Sequence, residues 1–124
     1  MQLFHFGKES GTPIDKFDSN FIMSRIVLTK KPAHIGCMHL EKGGIIGYHQ
    51  AVVPQLLLIV SGEGYVRGES EEFVPLIAGE AVFWIKDEYH ETRIDNGLTA
   101  IVIESEELTP ASFMKEKKIE SRGL

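Results

Sequence analysis

Hydrophobic residues in this chain fall in short, dense runs and not at helical intervals. "NFIMSRIVL" (20–28), "HIGCMHLE" (34–41), "QLLLIVSG" (55–62), "GYVRG" (64–68), "EAVFWI" (80–85) and "TAIVIE" (99–104) are rich in β-branched and aromatic residues. Turn signals separate them: "KKP" at 30–32, "KGG" at 42–44, "GEG" at 62–64, "AG" at 78–79, and "DNG" at 95–97 as a hairpin turn into the last run. Short strands at close spacing, with no helices between them, predict an all-β sandwich or barrel. Two helical pieces are expected: one turn over 15–20, and a C-terminal helix over 110–122. The second has Thr109 as N-cap, Pro110 at the first position and Gly123 as its stop.

The run "QLLLIV" is apolar on both faces. Leu57 and Ile59 share a face with Gln55, and Leu56, Leu58 and Val60 occupy the other. A strand of a two-layer sandwich normally shows one of its faces to water, so the second apolar face needs a cover. A sister subunit is the expected cover, which predicts a homodimer; the N-terminal strand or the C-terminal helix is the alternative.

Composition narrows the setting. A chain of 124 residues, 43% hydrophobic and 25% charged, is sized for one globular domain over 1–124. The net charge of −5 favours neither nucleic acid nor an anionic membrane, and the basic cluster "KEKK" at 115–118 reads as a solvated face. Cys37 is the single cysteine, in a strand-like segment, and is expected to be a buried, inert thiol. "MQLFHFGKES" does not read as a signal peptide, and Leu56 to Val60 is too short to span a bilayer; a cytoplasmic protein is expected.

The polar residues among these strands have a regular spacing. Five residues separate Gly43 from His49; Gln55 follows, and six more lead to Gly62. After sixteen further residues comes Gly79, then five to Ile85, with Asp87 and His90 close behind. This spacing, with "SGEGYV" and "IAGEAVFWIKDEYH", resembles the two motifs of the cupin superfamily, here about 43–62 and 79–94. The resemblance implies a cupin double-stranded β-helix, a jelly-roll barrel built around one pocket, followed here by the short C-terminal helix. It also implies a metal held by three histidines and a glutamate. His49 and His90 match the first and last ligand positions, but Ala51 stands for the middle histidine and Gln55 for the glutamate. Ile85, Asp87 and Ile94 replace the proline, glycine and asparagine of the second motif, which are structural positions.

The two ligand substitutions weaken the expected site. Residues at i and i+2 of a strand share a face, and the alanine methyl of residue 51 has no electron pair to offer. Gln55 presents a neutral carbonyl oxygen, so the ion would receive no negative charge. His49, Gln55 and His90 would suit zinc, nickel or copper better than iron or manganese, and hold any of them weakly. Three readings remain open: a partial metal site, a metal-free pocket using the same residues on an organic ligand, and histidines satisfied internally. Tyr48, Ala51, Leu57, Thr92, Met38 and His34 are further candidates for the pocket, the last two by their phase with Leu40.

Two functions follow from the resemblance. One is a stand-alone small-molecule-binding protein, for a sugar or small acid. Residues 54–92 also resemble the sugar-sensing cupin half of arabinose-type transcription activators, but about twenty residues after the last strand are too few for a helix-turn-helix pair, so no DNA contact is expected. The alternative is a metal-dependent cupin enzyme, of the dioxygenase or sugar isomerase or epimerase type. No phosphate loop, nucleophile elbow or paired thiol points elsewhere.

Overall fold

The computed structural model describes residues 1–119. Its strands are β1 (Gln2–His5), β2 (Thr12–Ile14), β3 (Phe21–Met23), β4 (Ala33–Leu40), β5 (Ile45–Gln50), β6 (Gln55–Arg67), β7 (Val74–Ile77), β8 (Glu80–Trp84), β9 (Tyr89–Arg93), β10 (Leu98–Ser105) and β11 (Lys115–Lys117). One wall has the order β11-β1-β8-β6-β10-β4, and the other places β5, β9, the second half of β6, and β7 side by side. All of these pairings are antiparallel. The fold is an all-β jelly roll.

β6 belongs to both walls, and this corrects the expected turn at "GEG". The strand runs unbroken through residues 62–64 and bends there: Gly62 has φ +83°, and the pairing with β10 slips between Thr99 and Ala100. A Cβ at Gly62 would collide with the Gly97 carbonyl, so glycine is required at this bend. "DNG" is a loop but not a hairpin turn. β9 and β10 do not pair with each other; the loop carries the chain from one wall to the other.

The predicted C-terminal helix is not formed among the described residues. Pro110–Ser112 make one 3-10 turn and Lys115–Lys117 add β11 to the edge of β1; positions 120–122 of that expectation lie outside the described residues. Pairing with β1 gives this segment backbone partners and lets Met114 reach the core, which outweighs its local helical signals. The turn expected over 15–20 is present as a 3-10 turn, Lys16–Asp18.

Two cores flank the larger wall. Leu3, Leu57, Ile59, Val66, Val82, Trp84, Ile94, Leu98, Ala100 and Val102 fill the space between the walls, with Met38 and Leu40 packed against them. Phe4, Leu56, Leu58, Ala81, Phe83 and Ile103 form the outer core, covered by Ile26, Val27, Leu108 and Met114. The second apolar face of β6 is thus buried within the chain at Leu56 (0% exposed) and Leu58 (2%), while Val60 stays 52% exposed. Segments on either side of the barrel fold back over it, which weakens the reason for expecting a sister subunit there. Cys37 is exposed on β4, contrary to expectation: β4 is a wall edge, and Cys37 points away from the face that carries Met38.

Candidate functional site

Strand register builds the site. β5 pairs with β9 so that His49 stands directly opposite His90, after an irregularity between Ile46 and His49. The two imidazoles lie 4.3 Å apart between ring centroids. His90 also stacks on Trp84 of the facing wall, at 4.2 Å and an interplanar angle of 23°. Trp84 is the cross-strand partner of Gln55, and both lie on the inward face with Leu57 and Ile59. His49, His90, Trp84 and Gln55 therefore form a continuous polar patch at one end of the barrel interior.

Hydrogen bonding fixes the imidazoles in a common state. Nδ1 of His49 lies 2.7 Å from the Gly47 carbonyl, and Nδ1 of His90 lies 3.3 Å from the Glu88 carbonyl. A carbonyl only accepts, so each Nδ1 carries a proton, and in a neutral ring the lone pair then lies on Nε2. Burial holds the His90 imidazole below its ordinary value of 6.5; the Glu88 carbonyl opposes this fall and the neighbouring His49 adds to it. His90 is 1% exposed, and its Nε2 is sealed from solvent with no partner among the described residues. Trp84 Nε1 is likewise buried and unpartnered. A buried polar atom without a partner costs about 1–3 kcal/mol, so two in one patch mark a place where stability is given up. His49 is the exposed, outer member of the pair.

The other sequence candidates divide by face. Leu57 (1% exposed) and Thr92 (1% exposed) face inward, and Met38 packs on the inner core. His34 shares the inward phase of Met38 but is exposed at the start of β4. Tyr48 belongs elsewhere: it stacks on Tyr89 at 5.3 Å and lies beneath the Arg67 guanidinium, on the outer surface of the smaller wall. Adjacent residues of a strand point to opposite faces, so the inward His49 sends Tyr48 outward. Ala51 follows β5, is buried, and is tied by its backbone to Asp87 and Glu88. It shapes the floor of the motif without offering a donor atom.

Two inward residues escaped the sequence reading. Trp84 lies in an unbroken apolar run whose facing is invisible without its partners. Glu104 lies two residues beyond the inward Val102, and its strand partners are Gln55 on one side and His34 on the other. Alternation through "LTAIVIE" carried that signal, but only the pairing shows which face is inward.

A cavity of about 610 Å³ lies away from this patch, between β1, β11 and β7. Of its polar lining, Lys117 is already engaged, with Nζ 2.7 Å from Glu80 Oε2. The histidine patch, with its free lone pairs, is the better candidate. For the metal that the motif spacing implies, the donor set falls short. Two imidazoles and one neutral amide are present, and no group of three or more histidine, cysteine, aspartate or glutamate side chains that could hold an ion occurs among the described residues.

Comparison with solved structures agrees with this architecture. A cupin superfamily protein from Desulfitobacterium hafniense superposes with a TM-score of 0.57 over 64% of this chain and 72% of that one, at 12% identity. An RmlC-like cupin from Shewanella frigidimarina gives a TM-score of 0.57 over 65% and 73%, at 21% identity. This chain has the cupin fold. A predicted oxalate decarboxylase from Thermotoga maritima also superposes, with a TM-score of 0.53 over 57% of this chain and 64% of that one, at 23% identity. No family model matches the sequence, and no curated protein matches it significantly. Within this barrel, His49 and His90 stand opposite each other on the paired strands β5 and β9.

Proposed function

We propose that this protein is a small-molecule-binding cupin whose ligand seats at the barrel mouth, against His49, Gln55, Trp84 and His90. The observation that carries this reading is the pair of imidazoles with both Nδ1 protons committed to backbone carbonyls. That arrangement sets an exposed imidazole, His49, against a buried one, His90, whose ring stacks on Trp84 and whose Nε2, like the Trp84 N–H, has no partner among the described residues. Such an array gives directional recognition of a polar organic molecule without requiring a metal. The test is a thermal-shift and NMR screen of sugars, amines and small acids at millimolar concentration. A hit should raise the melting temperature and move the His49 and His90 ring resonances, and His49→Ala should abolish both effects. If no compound of any charge perturbs those resonances, the reading fails.

The alternative, a metal-dependent enzyme, draws support from the same hydrogen bonds, because metal-ligating histidines commonly donate their second ring N–H to a carbonyl. The two motifs lack the carboxylate and third imidazole of a strong site, so weak zinc, nickel or copper binding is expected at most. Metal content per chain, compared between wild type and the His49→Ala/His90→Ala double variant, decides this. Stoichiometric metal lost in the variant would favour the enzyme.

A further inference from the structure

Glu104 adds to the barrel mouth a carboxylate that neither motif contains. The inward residues of β10 are Leu98, Ala100 and Val102, all in the inner core, and Glu104 continues that face. Pairing places four inward residues side by side across the larger wall: His34, Glu104, Gln55 and Trp84. Directly paired residues have Cβ atoms about 4.5–5.5 Å apart, so Glu104 and Gln55 are immediate neighbours. Glu104 is half-buried. The ion pairs among the described residues are Met1–Glu88, His5–Glu80, Arg67–Glu91, Arg93–Glu91 and Lys117–Glu80, and none of them engages Glu104. The opposite wall offers the outer imidazole, His49, with its Nε2 lone pair free.

The patch is therefore rich in acceptors and carries one uncompensated negative charge. We propose that its ligand is an amino alcohol: the primary ammonium group is held by the Glu104 carboxylate and the Gln55 carbonyl, and a hydroxyl donates to His49 Nε2 on the facing wall. An ammonium has three N–H donors and no lone pair, which matches neighbouring acceptors; a carboxylate or phosphate in the same place meets Glu104 with no cation to offset it. Facing walls of a β-sandwich stand about 10 Å apart, and side chains from both narrow that gap to the reach of a molecule with donors at its two ends. This assignment rests on the reading of the mouth as a ligand site and specifies the charge of what enters it.

The test uses three probes on one two-carbon frame: ethanolamine, ethylene glycol and glycolate, titrated near neutral pH by NMR and calorimetry. Ethanolamine should bind wild type at least about tenfold tighter than glycolate. Glu104→Gln should lose that preference, weakening ethanolamine by about tenfold and admitting glycolate, while Glu106→Gln, an exposed control, leaves it intact. Circular dichroism confirms that each variant is folded. Glycolate binding as well as ethanolamine, an unchanged preference in Glu104→Gln, or no ethanolamine binding to wild type overturns the proposal. The broader reading survives any of these results if another compound still moves the His49 and His90 resonances.

Discussion

Single residues account for the shape and the chemistry of this barrel. Gly62 takes a conformation that side chains resist, at the point where β6 passes from one wall to the other. Gly62→Ala is expected to cost at least about 2 kcal/mol in urea unfolding, from strain and the collision with the Gly97 carbonyl. Gly47, on the same motif, has open space where a Cβ would go, and Gly47→Ala should be close to neutral in the same assay. His90 lies at the other extreme of constraint, with burial keeping it neutral and its Nε2 facing no partner. The two motif substitutions are equally local in effect. Alanine at 51 leaves a buried backbone anchor, and glutamine at 55 leaves a neutral amide between Trp84 and Glu104.

At the scale of elements, β6 is the organising strand. Its first half carries one core on each face, and the outer core is closed by Ile26, Val27, Leu108 and Met114. Leu58→Ala should therefore destabilise the fold by about 2–5 kcal/mol, by an amount independent of protein concentration. A cost that grows on dilution would instead point to burial at a subunit contact. The second half of β6 is fastened to β9 by Glu91, 4% exposed, which accepts from Arg67 at 2.8 Å and from Arg93 at 2.9 Å. The Arg67 hydrogen bond, with Arg93 beside it, holds the Glu91 carboxyl below its ordinary 4.5 against the opposing effect of burial. A depressed carboxyl binds its proton less readily when folded than when unfolded. Its contribution to stability is thus full above about 4.5 and disappears as pH falls through the folded value. Urea midpoints of wild type and Glu91→Gln should accordingly differ most near neutral pH and converge in acid.

For the whole molecule, strand content, the apolar double face of the fifties and the motif spacing were legible in the sequence, because strand propensity and turn chemistry are local. The polar ends were not. "TPASFMKEKKIE" carries helix signals, yet its described part forms a turn and an edge strand, because β1 offered backbone partners and the outer core offered a place for Met114. No helix among the described residues is long and apolar enough to cross a membrane. The homodimer rests on an apolar face that the chain itself covers at Leu56 and Leu58 and leaves exposed at Val60, so it stands as a proposal with that support reduced. Sedimentation over a range of concentrations decides it: a single-chain species throughout would remove it.

By itself the sequence determined the all-β class and several of its strands, that His49 and His90 fall at matching points of two motifs, and that strong metal ligands are missing between them. These follow from residue type and spacing along the chain. β5, β7 and β9 were not among the runs it marked. Only the tertiary structure decided which faces look inward, and with them that Tyr48 lies outside, that Trp84 lies against His90, and that Glu104 joins Gln55 at the mouth. Inward and outward are relations between strands far apart in the chain, set by register and by what covers each wall.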